Sequence, residues 1–423
     1  MVVLRNSGTD VNPKALIDET ARLLGVTLRF EKPADQIVSD YFKAHRELGS
    51  RERHALAETT YAVLRRRLLF QNLAQSGHGP MERRLALLAW AGEPRALAAA
   101  ATVDERAWLE ACARIDRSSL APKLRHNLPD WVAGGLAEAL PAEEFEPLCD
   151  SLLEGAPLDL RVNALKAKRD AVLEQLLAQG VKAEACKYSP WGIRVQGKPS
   201  LNQWPLFKDG SIEVQDEGSQ LLALLLDAKR GEMVADFCAG AGGKTLALGA
   251  MMRNTGRLYA FDVSGHRLDN LRPRLARSGL SNVYPIQIAH ERDERIKRLS
   301  GKLDRVLVDA PCSGLGTLRR NPDMKWRQSP QAVAELTQLQ AKILASAARL
   351  LKPGGRLVYA TCSLLRSENE AIADAFTAAT PGLTPLDAAT LVEPALCENG
   401  HLRLWPHRHG TDGFFAAAWQ KSA

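Results

Sequence analysis

The sequence predicts an α/β protein, with a doubly wound sheet in its C-terminal half, a small α/β module before it and an all-helical N-terminal region. Three observations carry this. From Met233 onward, apolar runs of strand length alternate with helical repeats. From Asn12 to about residue 140 the periodicity is almost purely helical. Between the two lies a strand–helix–strand pattern of about 50 residues, plausible as a module and marginal as an independent fold.

At 423 residues the chain exceeds one compact core, so two or three domains are expected. Hydrophobic residues at 45% and charged residues at 25% are ordinary globular values. The opening MVVLRNSGTDVNPKAL lacks the apolar core of a signal peptide, and no segment runs long enough without charge to span a bilayer. A soluble, cytoplasmic protein is therefore expected. The seven cysteines are odd in number and scattered without a CxxC pair, which argues against a disulfide framework and a structural zinc module. Reduced thiols remain available for chemistry. A net charge of +7 suits a polyanionic partner, nucleic acid above all.

In the helical region, GSRERHALAETTYAVLRRRLLF is the clearest element. Ser50 is the expected N-cap, and Leu56, Thr60, Val63, Leu64 and Arg67 follow at helical spacing. Arg65, Arg66 and Arg67 complement the helix dipole at its end. Residues 140–155 form the expected joint. LDLRVNAL then reads as a strand, KRDAVLEQLLAQG as a helix closed by Gly180, and GIRV as a second strand. Domains are expected at 1–145, 146–205 and 206–423. Within the last, MVADF, RLYAF, VYPIQI, RVLVD and RLVYA are apolar runs separated by helical segments, the pattern of a parallel sheet covered on both faces. Ligands of such sheets bind beyond the carboxyl ends of the strands.

One such end carries DFCAGAGGKT, Asp236 to Thr245, between the first strand and a helix. Its glycines let backbone approach a ligand, and the helix start offers free N–H groups. A P-loop would need glycine where Cys238 stands, and the dinucleotide GxGxxG spacing is imperfect. The remaining reading is the loop that wraps the methionine part of S-adenosylmethionine. Asp262, at the end of the next strand, would accept the ribose hydroxyls.

Two cysteines occupy similar strand ends, Cys312 in VDAPCSGLGTLRRNPDMKW and Cys362 in YATCSLLRSENE. With DFCAGAGGKT and the terminal GTDGFFAAAW, these segments resemble, in order and separation, the RsmB/Sun family of RNA cytosine-5 methyltransferases. The resemblance covers about Leu158 to the C-terminus. It implies a Rossmann-like methyltransferase domain, with LRVNALK similar to the family's RNA-binding lead-in, an RRM-like module, and EVQDEGSQL similar to the segment before its cofactor loop. The helical N-terminal region is similar to the NusB-like domain of bacterial ribosomal RNA enzymes.

C5 of cytosine is too weak a nucleophile to take a methyl group from a sulfonium unless a thiolate first adds at C6. By the resemblance Cys362 is the attacking thiol, and Cys312 assists proton removal and product release. Residue types alone leave that order open, since DNA cytosine-5 enzymes attack from a Pro-Cys motif. Asp309, protonated or sharing a proton, would support N3 of the base. Cys238, Ala239, Gly240, Ala241, Gly242, Gly243, Lys244, Asp262 and Asp309 would hold the cofactor, with Lys244 positioning cofactor or base. Arg319, Arg320, Lys325, Trp326 and Arg327 form a basic loop suited to RNA phosphates and stacking.

The family loop is commonly Cys-Ala-Ala-Pro-Gly-Gly-Lys, so Gly240 and Ala241 depart from it, and Ala289-His290 stands where the family has Gly-Asp. Cys397, His401, His407 and His409 fit no usual zinc spacing, so no metal is expected. The implied activity is methylation of C5 of a cytosine in RNA, ribosomal RNA being favoured, by a monomer acting on a flipped or single-stranded base. Transfer RNA is the alternative substrate, and a non-catalytic RNA-binding ribosome assembly factor is the alternative class.

Overall fold

The computed structural model describes residues 12–197 and 199–422, so most of the opening segment read above for a signal peptide lies outside the described residues. The chain forms two compact units. The first takes the chain up to Ala137, then Pro141–Glu154 and Leu318–Ser329; the second takes Glu138–Leu140, Gly155–Thr317 and the chain from Pro330.

The first unit is helical. Its core includes Ile17, Leu24, Val63, Phe70, Leu73 and Leu85, drawn from several helices whose apolar stripes face inward. The helix Ser50–Arg65 buries Leu56, Thr60, Val63 and Leu64 as its periodicity predicts. Its cap differs from expectation: Gly49 is the N-cap and Ser50 the first helical residue. It also ends at Arg66, after which a separate helix, Arg67–Ala74, begins. The expected joint contains a helix of its own, Ala142–Leu152.

The basic loop corrects a second expectation. Lys325 is 2% exposed and Arg319 is buried, so neither presents its charge on an open loop. Lys325 Nζ donates to the carbonyl of Arg65 at 2.8 Å, and Trp326 Nε1 donates to that of Leu64 at 2.7 Å. Arg65 in turn donates to the carbonyl of Arg319 at 3.0 Å. These side chains satisfy carbonyls that the last turn of Ser50–Arg65 cannot pair within the helix. One lysine and one tryptophan of the basic run cap a helix.

Burying that ammonium has a consequence for stability. Burial, with Arg65 and Arg66 adding repulsion, pushes the Lys325 ammonium down to about 7. An unfolded lysine stays protonated to about pH 10.4, so between pH 7 and 10 the unfolded chain holds more protons and stability rises with pH. Lys325→Met is expected to flatten that rise. Below pH 7 it should stabilise the fold by about 2–4 kcal/mol, allowing for the donor lost to the Arg65 carbonyl. Thermal melts of both proteins between pH 6 and 9 check this; parallel pH dependences would refute it.

The second unit holds two sheets. The smaller is built from β1 (Leu158–Val162), β2 (Ala183–Ala185), β3 (Gly192–Val195) and β4 (Ile212–Val214), in the order β2-β3-β1-β4, all antiparallel. The helix Arg169–Ala178 buries Val172 and Leu176 against it. β4 lies beyond residue 205, so this sheet extends past the span expected for the small module.

The larger, nine-stranded sheet contains β5 (Met233–Asp236), β6 (Arg257–Asp262), β7 (Val283–Gln287), β8 (Leu303–Asp309) and β9 (Leu351–Thr361), all parallel. It continues through β10 (Leu383–Leu386), β11 (Cys397–Glu398), β12 (His401–Leu404) and β13 (Phe414–Lys421), which pair antiparallel. The order is β11-β12-β13-β9-β8-β5-β6-β7, with β10 beside β13. The sheet is thus mixed rather than wholly parallel.

Alternate strand residues feed two cores. Val234 and Leu307 point to one face, while Ala235, Phe237, Val306 and Val308 point to the other. This two-sided burial is why these strands read as continuous apolar runs. From β5 the chain runs outward through β6 and β7, then returns to place β8 on the opposite side of β5. That reversal opens a crevice at the carboxyl ends of β5 and β8.

Candidate active site

Every residue proposed for chemistry from the sequence lies at that crevice edge. The glycine loop follows β5, Asp262 ends β6, Asp309 ends β8 with Cys312 three residues on, and Cys362 directly follows β9. The register pairs Asp309 with Ala360, so the ends of β8 and β9 lie side by side.

In the loop, Gly240 and Gly242 adopt φ of +55° and +82°. A Cβ on Gly242 would stand 2.1 Å from Leu271 Cδ1, so only glycine fits there. The Gly240 N–H donates to Asp262 Oδ2 and the Ser264 N–H to Oδ1, each at 2.8 Å. Asp262 is thereby fixed at the mouth of the loop. Two guanidinium groups hold the loop's carbonyls: Arg274 donates to Ala241 at 2.6 Å, and Arg161, from β1, donates to Gly243 at 2.5 Å. They constrain a loop that has no proline. The residues present fit S-adenosylmethionine: a glycine-lined turn, a helix start at Gly243 and an acid at the end of the next strand.

Below the loop, Asp236 is buried and donated to by Thr245 Oγ1 at 2.7 Å; burial pushes its carboxyl up to about 7. Cys238 belongs to the loop wall rather than to any attack. Burial and the charges of Asp309, Asp236 and Asp262 push its thiol well above the usual value.

Lys244 is no exposed helix-end lysine. Its side chain is 12% exposed and its Nζ lies 2.7 Å from Asp309 Oδ2, with the Phe414 ring 5.8 Å away. Burial alone would pull the ammonium down; Asp309, supported by Asp236 and Cys362, holds it above its ordinary value. The ion pair connects the loop after β5 to the end of β8.

The two thiols meet. Cys312 Sγ and Cys362 Sγ are 3.4 Å apart, and both residues are part-buried. The hydrogen bond to Cys362, burial and the charges of Cys362 and Glu368 hold the Cys312 proton well above the ordinary thiol value. Gly316 N–H donates to the carbonyl of Cys362 at 2.8 Å, and Gly413 N–H to that of Gly316 at 2.8 Å. The C-terminal GTDGFF segment is thus tied to both cysteine loops.

Glu368, Arg161 and Arg274 escaped sequence reasoning. The available signal for Glu368 was the serine that follows each cysteine, since Ser313 and Ser363 both donate to it. Among the described residues, no group of three or more His, Cys, Asp or Glu side chains is placed to hold a metal ion. His409 instead accepts the N–H of Trp405 at 2.9 Å. No helix among the described residues is long and apolar enough to cross a membrane.

Comparison with known proteins gives the family. The family described as 16S rRNA methyltransferase RsmB/F matches residues 223–420, and an RsmF/B-like ferredoxin-like domain matches 128–202. The chain is 35% identical over 310 residues to the Probable ribosomal RNA small subunit methyltransferase B of Bacillus subtilis, covering 71% of this chain and 68% of that protein. It is 37% identical over 306 residues to the ribosomal RNA small subunit methyltransferase B of Pseudomonas syringae, covering 71% and 67%. The crystal structure of PH0851 superposes with a TM-score of 0.80 at 27% identity, over 97% of this chain and 99% of that one. The chain belongs to the RsmB/F family of S-adenosylmethionine-dependent RNA methyltransferases.

Proposed function

We propose that this protein methylates C5 of a cytosine in small-subunit ribosomal RNA through a covalent bond between Cys362 and C6 of the base. The observation that carries the reading is the pair of thiols 3.4 Å apart at the sheet edge, beside the Lys244–Asp309 ion pair. S-adenosylmethionine, held by residues 238–244, Asp262 and Asp309, supplies an electrophilic methyl group.

Cys362 is the attacking sulfur, and Cys312 Sγ lies 3.4 Å from it, within proton-transfer reach. The Cys362 thiolate adds to C6, and the C5–C6 electron pair becomes available at C5. The Lys244 ammonium, donating to Asp309, supports the edge where charge builds on the base, which takes the place of a protonated Asp309 acting alone. C5 would then take the methyl group that S-adenosylmethionine, held by residues 238–244, Asp262 and Asp309, would supply. Removal of the C5 proton restores the double bond and expels Cys362 as thiolate. Cys312, 3.4 Å from that sulfur, serves this last stage by relaying the C5 proton to solvent as the C6–S bond breaks. The small sheet of β1–β4 is suited to hold RNA flanking the target.

The test is transfer of labelled methyl from S-adenosylmethionine to purified small-subunit RNA, with nucleoside analysis and mapping of the modified position. The expected product is 5-methylcytosine at one position. Label confined to transfer RNA would move the substrate, and label on another base or atom would overturn the mechanism.

A further inference from the structure

Glu368 is fully buried in the short turn that follows Cys362. A buried carboxylate is tolerated only where donors converge on it, and the donors here are informative. Oε1 accepts the N–H of Ser313 at 2.8 Å and the amide of Gln340 at 3.0 Å. Oε2 accepts the hydroxyls of Ser313 and Ser363, each at 2.5 Å. The two hydroxyls are themselves 3.1 Å apart. Ser313 directly follows Cys312 and Ser363 directly follows Cys362, so one carboxylate fastens together the two loops that carry the thiols. The glutamate is itself anchored, since the Tyr359 hydroxyl donates to its carbonyl at 2.6 Å.

Each loop also has ties apart from this clamp: on the Cys312 side, Ala310 N–H donates to the Ala360 carbonyl at 2.9 Å and Gly316 N–H to that of Cys362 at 2.8 Å. The Cys362 side has further ties: Asn369 donates to the Ser363 carbonyl at 3.0 Å, and Ser363 N–H donates to Thr361 Oγ1 at 3.2 Å. On the Cys312 side, both the N–H and the hydroxyl of Ser313 end on Glu368. Gln340 couples the same carboxylate to the Pro311 carbonyl, at 2.9 Å. Loss of the carboxylate therefore removes the bonds that fix Ser313 to Ser363, and frees the two cysteine loops to shift relative to one another.

We propose that Glu368 is a positioning residue for the thiol pair, setting the place from which Cys312 returns the covalent adduct to product. This rests on the order of events given above for the two cysteines. Glu368→Gln keeps the shape but sets an amide donor against donors. Kcat is expected to fall about 10- to 100-fold, the scale for a small misplacement of a reacting group, with KM for RNA and cofactor little changed. RNA–protein adduct should accumulate. An activity-independent readout is closure of the Cys312–Cys362 disulfide by diamide, which takes up the two thiol hydrogens and two electrons; the glutamine variant should slow it at least about tenfold. Glu368→Asp, which retains the charge, should recover part of both.

Cys312→Ala is run alongside. If it traps RNA while Glu368→Gln neither traps RNA nor slows disulfide closure, the role of Glu368 is wrong and the order of the cysteines stands. If Cys312→Ala traps nothing but Glu368→Gln still slows closure, the clamp stands and the order of the cysteines falls. Should Glu368→Gln fail to fold, Ser313→Ala carries the same two readouts: slowed closure with adduct supports the clamp, and unchanged values overturn it.

Discussion

Cys362→Ala is expected to abolish methyl transfer, by on the order of 10⁴-fold or more in kcat, and to leave no RNA bound to the protein. Cys312→Ala is expected to behave differently: addition and methylation proceed, release fails, and an RNA–protein band persists on denaturing gels in the presence of cofactor. The contrast follows from the two roles proposed for the sulfurs. They are 3.4 Å apart, close enough for one to add to the base while the other serves the later proton transfer. Denaturing electrophoresis with labelled RNA decides the matter, and the exchanged pattern would hand the attack to Cys312.

Much of this site was legible in the sequence because its parts stand at strand ends. The glycine loop, Asp262, Asp309 and both cysteines each follow an apolar run, and the doubly wound order brings such ends to one edge. What the sequence hid was the support. Glu368 sits in Arg-Ser-Glu-Asn-Glu, where an acid before a helix reads as a solvent-facing residue; only the folded chain buries it against the neighbouring Ser363 and Ser313 from a distant loop. Lys325 and Trp326 misled in the opposite direction. A basic run reads as surface, but uncapped carbonyls at Leu64 and Arg65, some 260 residues away in sequence, drew both side chains inward. The antiparallel strands β10 to β12 were missed because two to four residues carry no measurable alternation. The three-residue β2 and β4 escaped for the same reason. Arg161 and Arg274 act through the carbonyls they reach, and no local pattern announces a backbone contact.

Lys244→Met and Asp309→Asn are each expected to lower kcat by about 10²- to 10³-fold, the range for losing one preorganised charged group at a reacting centre. Each should also destabilise the fold by about 1–3 kcal/mol. That is less than for a fully buried pair, because the Asp309 side chain keeps 28% exposure. The double variant separates the two effects. Removing both charges leaves no uncompensated ion, so stability should recover toward the parent, with a coupling energy of about 1–3 kcal/mol. Activity should not recover, because the ammonium at the base edge is then missing altogether. Denaturant unfolding and single-turnover methyl transfer on the four proteins read these quantities independently. Recovery of both together would make the 2.7 Å pair a structural strut between the loop after β5 and the end of β8. Recovery of stability alone assigns it to the chemistry: a lysine held charged by an aspartate inside a crevice is a proton donor placed where the base must accept one.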